Sequence, residues 1–437
     1  MVRRRHADRP ARRLRHVPPD LALTLPSRSA APPPPGPPAA HGALPYLAAA
    51  GFASMASIRI ADPMLPALAR DFGGEPAGAA ATITLFALAY GTMQLVWGPL
   101  GDRVGKLRVI AWAALAATLG SLACALAPTL AWLAGARLAT GACCAAIIPL
   151  AIAYIGDTVD YSVRQATLAR LSTGTLTGMI AGQVLGGAAA DTVGWRVAFV
   201  VLAAVFLVTG TAALRMQARL AGAARPVPPG AATTALSLLR GWHAVLASGW
   251  SRRVIGFALI EGALMFGALA FVPTWLHERA GLSLAAAGGA VAAMGVGGLA
   301  YAAFASRLIP LLGERGTLTL GGALVAVGFV ALAASPAAGL GAPTWVVAMA
   351  ACGVAGIGFY MLHNTMQTLA TQLAPHARAT AIGLFAVALF VGQSVGVSVA
   401  APVGAALGHA AVIAAAGVAM AVLGAGLGRA VARRRAS

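Results

Sequence analysis

Of the chain's 437 residues, 59% are hydrophobic and only 10% are charged, against roughly 25% charged residues in an ordinary soluble domain. The formal net charge is +19, yet eight of the 31 Lys and Arg fall in the first 28 residues, four close the chain at Arg429, Arg433, Arg434 and Arg435, and the others separate apolar runs. A nucleic-acid binder would gather such charge on one folded face. Composition therefore excludes a soluble domain and a nucleic-acid partner and demands lipid as solvent.

Residues 1–43 hold arginines at 3, 4, 5, 9, 12, 13, 15 and 28, then the run AAPPPPGPPAA at 30–40. With no apolar core followed by a small-residue cleavage site, this stretch reads as a disordered cytoplasmic tail and not a signal peptide. A helix needs about 20 apolar residues to cross the hydrocarbon. On that rule spans 1 to 6 are expected near 44–68, 77–97, 107–127, 129–152, 168–190 and 196–214. Spans 7 to 12 are expected near 253–275, 283–306, 316–336, 343–366, 378–402 and 407–428. The prediction is an all-α membrane protein with 12 transmembrane helices: an N-terminal half at 44–214, a cytoplasmic linker at 215–252, a C-terminal half at 253–428 and a basic tail at 429–437.

Alternating the connections places 26 of the 31 cations on the side of the N-terminus and three, Arg70, Arg196 and Arg279, on the other, with Arg59 and Arg137 inside spans. Positive residues remain in the cytoplasm, so both termini are expected there, in the inner membrane of a bacterial cell. The linker, with RPVPPG at 225–230, is the seam between the halves. An echo of duplication joins Leu100-Gly101-Asp102-Arg103 after span 2 to Leu312-Gly313-Glu314-Arg315 after span 8. Such repeats put a substrate path at the midplane between halves. Cys124, Cys143, Cys144 and Cys352 lie in apolar segments without ligand spacing and read as packing residues, so neither metal nor cofactor is expected.

The connection after span 2, Gly98-Pro99-Leu100-Gly101-Asp102-Arg103-Val104-Gly105-Lys106-Leu107-Arg108, resembles the signature loop of the major facilitator superfamily, GxLaDrxGrkr. Its glycines permit a tight turn, and Asp102 among cations suits a neighbouring helix N-terminus. The resemblance implies that Gly98, Gly101, Asp102, Arg103, Gly105 and Arg108 steady a cytoplasmic gate; the residues alone equally describe a positive-inside loop with one balancing acid. Three further stretches resemble the family's drug:proton antiporter branch. Arg137-Leu138-Ala139-Thr140-Gly141 in span 4 is similar to its RxxxG. Gly174, Gly178, Gly182, Gly186 and Gly187 in span 5 resemble its GxxxGPxxGG, with Gln183 in place of the proline. Gly194-Trp195-Arg196-Val197-Ala198-Phe199 looks like the GWRxxF that opens span 6. The likeness extends over 44–428. It implies two six-helix halves related by a pseudo-two-fold axis, the major facilitator fold, and drug–proton exchange by alternating access. Small residues at every fourth position also let helix backbones approach closely, so the stripe reads equally as packing.

A charge at mid-bilayer costs at least about 2.5–3.5 kcal/mol on insertion scales, which makes each buried ionisable group a functional candidate. Arg59 and Asp62 share a helical face in span 1; Asp62 pairs either with Arg59 or with Arg137 of span 4, as a switch that opens when the halves rock or as a permanent pair. Pro63 and Pro66 interrupt the helix just beyond. Glu261, in span 7, has no cation at helical spacing, and is either a proton carrier or a neutral group bonded to a backbone carbonyl. Tyr360, His363 and Asn364 share a face of span 10; the His is either a titrating group or a hydrogen-bonded packing residue. Tyr90, Gln94, Gln393 and Ser394 complete the polar set, and Met265 and Phe266 offer an apolar wall. The reading assigns proton coupling to Asp62, Glu261 and Arg137. It assigns substrate binding to Arg59, Asp62, Tyr90, Gln94, Glu261, Phe266, Tyr360, His363, Asn364 and Gln393.

The sequence holds no GxxxxGK[ST] phosphate loop, no HExxH and no nucleophile and base at a family-like spacing, which argues against ATP drive and against an enzyme. The expected function is proton-coupled efflux of a small amphipathic or drug-like compound by a carrier that works as a monomer, with substrate, protons and the bilayer as its partners. The alternatives are a carrier of a polar metabolite such as a sugar or amino acid and, more remotely, a non-transporting membrane sensor or scaffold.

Overall fold

The structure, a computed structural model, describes residues 39–221, 235–335, 342–374 and 378–436. The basic, proline-rich segment up to residue 38 and the RPVPPG of the linker lie outside the described residues. Among the described residues, every regular element is helical.

Ten helices are long and apolar enough to cross a membrane. One of them, Leu284–Ala334, is two spans: Gly313, at φ 64° and ψ 176°, breaks it. Tyr161–Asp191, 31 residues long but diluted by Ser, Thr and Arg, supplies the twelfth span. In chain order the others are span 1, Gly42–Phe72; span 2, Pro76–Val104; span 3, Lys106–Ala125; span 4, Leu130–Thr158; and span 6, Trp195–Arg219. Then follow span 7, Gly249–Ala280; span 10, Thr344–Ala370; span 11, Thr380–Leu407; and span 12, His409–Arg435. Each overlaps its expected range, and several run further than apolarity alone suggested; span 5, for example, begins at Tyr161. The linker carries an unforeseen short helix, Ala235–Ala247, which Arg252 ties to span 7 by donating to the carbonyls of Leu246 and Ala247 at 2.8 and 3.0 Å.

Spans 1 to 6 bury one apolar core, which holds Phe86, Phe199 and Phe206 and extends to Phe271, Leu284 and Val397 of the second half; spans 7 to 12 bury another, which holds Phe329, Phe385 and Met420. The repeat is visible in backbone detail. Span 1 is a helix to Arg59, a one-turn 3-10 piece at Asp62–Met64 and a helix at Leu65–Phe72, closed by Gly73 at φ 66°. Span 7 is a helix to Leu269, a break and a helix at Val272–Ala280, closed by Gly281 at φ 65°. Pro66 and Pro273 stand second in these closing helices, where a missing N–H ends the hydrogen-bond ladder. The positive-φ glycines that separate spans 2 from 3 and 8 from 9 are Gly105 and Gly313. They correct the register of the duplication: Gly313 stands where Gly105 does, four residues away from the LGDR/LGER match, whose likeness is local.

Span 5 lies on span 1 along the glycine stripe. A Cβ at 174, 178, 182 or 186 would strike the carbonyl oxygens of Ala48, Phe52, Ala56 and Ile60 in turn, so two four-residue periods mesh at backbone contact. Span 11 repeats this on span 7, where Gly392 and Gly396 meet the carbonyls of Leu259 and Ala263. Between the halves, span 5 packs on span 8 and span 2 on span 11. These contacts concentrate at the end opposite the arginine-bearing connections. There Asp191 accepts from the backbone N–H groups of Leu284 and Ala285 at 3.1 and 2.7 Å, and Ser394 donates to the Thr84 carbonyl at 3.1 Å. Toward the basic end a cavity separates the halves.

Candidate functional site

The cavity has a volume of about 580 Å³ and reaches Gly98, Ala153, Gln367 and Gly383 at the basic end. Its wall is chiefly apolar, with Ile58, Ile152, Met179, Ile180, Leu269, Val291, Met294 and a cluster of Phe266, Phe359, Phe385 and Phe390. Polar groups enter at seven places: Arg59, Tyr90, Gln94, Gln183, Tyr360, His363 and Gln367. Both buried acids stand behind this wall and touch the cavity through a partner.

The first acid is Asp62, fully buried in the break of span 1. Arg59 reaches its Oδ2 at 3.5 Å and the Gln183 amide donates to the same oxygen at 3.0 Å, while Oδ1 has no partner. Of the two pairings open to Asp62, the structure takes Arg59. Arg137 instead donates to the carbonyl oxygens of Thr82 and Ser57 at 3.2 and 2.8 Å, and its guanidinium lies 4.0 Å over the Phe86 ring. It ties spans 1, 2 and 4 at depth, away from the cavity wall. Gln183, at the position where the antiporter motif has proline, spends its side chain on Asp62.

The second acid is Glu261, fully buried midway along span 7. Its Oε2 is 3.2 Å from Nδ1 of His363 on span 10, and Oε1 has no partner. The His side chain, 15% exposed, lines the cavity and stacks on Phe359 with ring centroids 5.2 Å apart. The two sites connect through rings. Arg59 lies 4.2 Å over Phe266, which meets Phe359 edge-on at 5.3 Å. A continuous chain thus runs from Asp62 through Arg59, Phe266, Phe359 and His363 to Glu261, crossing between the halves at the Arg59 to Phe266 contact.

Of the residues expected to bind substrate, Arg59, Tyr90, Gln94, Phe266, Tyr360 and His363 line the cavity, and Asp62 and Glu261 lie behind it. Asn364 and Gln393 are outside the lining, as is Met265, which is buried in the second core. Gln393 packs where span 11 meets Gly262 of span 7. Sequence reasoning missed Gln183 as a polar ligand of Asp62, and Gln367, which lies four residues beyond His363 on the same face and was open to the same spacing rule.

At the basic end, Gly105 (φ 102°) turns the chain between spans 2 and 3, and Gly101 packs against Leu150 of span 4. Lys106 joins Asp102 at 2.7 Å and Asp157, at the end of span 4, at 2.8 Å. Asp102 thus holds a lysine, where its placement had suggested a helix N-terminus. Arg108 meets Gln217 of span 6, whose amide oxygen, turned to face it, accepts from Nη2 at 3.0 Å. Arg103 is exposed and Gly98 lines the cavity mouth. At the opposite end of this half, Asp71 accepts from the Trp195 indole N–H at 2.7 Å and pairs with Arg196 at 3.0 Å.

Two similar six-helix halves around a mid-depth cavity, each opening with a discontinuous helix, constitute the architecture of a secondary membrane transporter. The sequence profile of the Major Facilitator Superfamily matches residues 47–397, and the chain belongs to that family. It is similar to the uncharacterized MFS-type transporter YceJ of Bacillus subtilis (strain 168), with 25% identity over 333 residues that cover 76% of this chain and 82% of that protein. It is also similar to the cephamycin export protein CmcT of Amycolatopsis lactamdurans, at 30% identity over 220 residues, 48% of this chain and 44% of CmcT. In fold it resembles a bacterial homologue of the human lysosomal transporter Spinster solved in an inward-facing, unoccupied conformation, with a TM-score of 0.69 and 16% identity over 90% of this chain and 96% of that one.

Proposed function

We propose that the protein is a monomeric, proton-coupled exporter of small amphipathic compounds, working by alternating access in a bacterial inner membrane with its basic end and both termini in the cytoplasm. The observation that carries this reading is the pairing of an apolar, aromatic cavity with Glu261, a buried carboxyl whose one partner, His363, faces that cavity. An apolar wall binds by area and shape and leaves few polar groups to discriminate, as suits drug-like substrates.

The two acids take different parts. Asp62 has a permanent cation and an amide donor, so it anchors Arg59 under the cavity floor. Glu261 has only His363, and its free oxygen Oε1 can hold a proton in the buried state. His363 takes that proton from water in the cavity, and the carboxyl carries it while the halves rock. Substrate packed on Phe266 and Phe359 presses on the same ring that stacks on His363, which couples occupancy to proton release. Arg137 supports this indirectly by fixing spans 1, 2 and 4. Three observations support direction and sidedness: the 26-to-3 division of cations, the cavity opening at the basic end, and the likeness to an export protein. The halves are assigned to 44–214 and 253–428, joined by the cytoplasmic linker.

The test is proton movement in proteoliposomes challenged with lipophilic compounds or with sugars. Wild type should release protons with the lipophilic panel, and Glu261→Gln should bind the same compounds while losing at least nine-tenths of the proton signal, an effect on the order of 1.4 kcal/mol or more. Proton coupling that survives Glu261→Gln, or a response to sugars alone, would overturn the reading in favour of a metabolite carrier.

A further inference from the structure

The basic end carries a second pocket that the transport cycle described above does not use. It lies between spans 7 and 12, has a volume of about 660 Å³, and is walled by Trp250, Arg253, Gly426, Arg429, Arg433 and Arg434. Among the described residues no acidic side chain lines it; Glu314, the acid nearest in sequence to this end of span 9, is engaged by Arg435 at 2.8 Å. Arg429 and Arg433 are one turn apart on span 12 and Arg253 faces them from span 7, so three exposed guanidinium groups line one pocket and favour an anion there. The Arg434 guanidinium lies 4.7 Å over the Trp250 ring, which places an aromatic at the depth where indoles settle in a bilayer interface.

What lies beneath the arginines decides which anion. Four and eight residues before Gly426, on the same face of span 12, Val422 and Val418 are 69% and 54% exposed. Gly426 itself is a notch in that stripe, where an added Cβ would meet nothing nearer than the Phe257 ring at 3.9 Å. A strip of lipid-facing valine thus leads directly into a cluster of arginines. A soluble phosphate would use the cluster and ignore the strip; a diacyl lipid uses both. Guanidinium groups bind phosphate oxygens in bidentate pairs, and basic pockets between spans at this level attract acidic headgroups.

We propose that this pocket is a binding site for an acidic phospholipid, whose phosphodiester is held by Arg253, Arg429 and Arg433 and one of whose acyl chains lies along Val422 and Val418 through the notch at Gly426. Bound there, the lipid bridges the first and last spans of the C-terminal half. The site is distinct from the transport cavity and stands whether or not the carrier is proton-coupled.

The test is native mass spectrometry of the full-length protein in detergent, titrated with phosphatidylglycerol, phosphatidylcholine or inorganic phosphate. Wild type should retain phosphatidylglycerol in preference to phosphatidylcholine, with inorganic phosphate unable to displace it. Removing two cations at a headgroup site should weaken retention roughly thirty-fold, so Arg429→Gln with Arg433→Gln should lose it. Arg215→Gln with Arg219→Gln, exposed cations of span 6, should leave it unchanged. Gly426→Trp keeps every charge but fills the notch, and should abolish retention as well. Equal retention by the two double variants, or retention in Gly426→Trp, would overturn the site; displacement by inorganic phosphate would show a soluble-anion pocket and overturn the lipid assignment.

Discussion

At the scale of residues, a few buried charges govern this protein because lipid makes each one costly unless it is partnered. Arg59 and Asp62 neutralise one another in the break of span 1, 3.5 Å apart and nearly or wholly buried. Removing one member of such a pair strands the other, at about 3–5 kcal/mol. Arg59→Met should therefore lower the thermal unfolding midpoint of the purified protein sharply, and adding Asp62→Asn to it should recover most of the loss. A single substitution without effect on the midpoint would mean that water reaches the pair. Both members were legible in the sequence, since three-residue spacing puts them on one face. Glu261 was legible as an unpaired acid, but its partner was not: His363 is 102 positions away, and no local spacing rule reaches across two spans. Gln183 was noticed for the proline it replaces; that it holds Asp62 emerges only when span 5 lies on span 1.

At the scale of elements, the fold rests on backbone-to-backbone contacts that only glycine allows. Gly182→Leu would drive its side chain into the Ala56 carbonyl and should abolish correctly folded protein, read as loss of the monodisperse peak on size exclusion. Gly156→Ala meets nothing within 4 Å and should behave as wild type. The helix ends matter as well. Asp191 closes span 5 while capping span 8 across the halves, and losing a side-chain cap costs about 0.5–2 kcal/mol. Asp191→Ala should shift the resting population toward opening at that end, measured as faster thiol labelling of a cysteine placed at residue 401, where a buried alanine stands at that end of span 11, in a background with Cys124, Cys143, Cys144 and Cys352 replaced. Unchanged labelling would assign the cap to stability alone. The stripe in span 5 was visible as a pattern open to two readings, and the structure supplies its packing role: four glycines meet four successive carbonyls of span 1, at the matching four-residue period.

For the molecule as a whole, the halves meet at one end and part at the other, and one cross-half contact, Arg59 over Phe266, sits at the floor of the cavity between them. Opening the opposite end requires that this contact and the Asp191 cap separate while the Lys106 bridge to Asp102 and Asp157 stays within the first half. Phe266→Ala should consequently shift the resting population toward opening at that end about tenfold, from the loss of a cation–π contact of order 1–2 kcal/mol, read as faster labelling of the cysteine at residue 401. Unchanged labelling would show that the ring acts only in packing.

Twelve spans and the family were written in the sequence because lipid imposes a length and an apolarity on every crossing helix, and because the GxLaDrxGrkr and glycine patterns are contiguous or evenly spaced along one chain. Span 5 shows the limit of hydropathy: it is polar enough to fall below that signal, since its hydroxyl groups bond to carbonyls within its own helix, as Thr173 and Thr177 do. Tertiary structure alone decided which of the polar residues face the cavity, that Glu261 meets His363, that Arg137 is a clamp and not a partner of Asp62, and that the start of span 7 and the end of span 12 form an arginine pocket. Those outcomes depend on the rotation of each helix about its axis and on its neighbours many turns away, and both are set by packing between spans that no local pattern encodes.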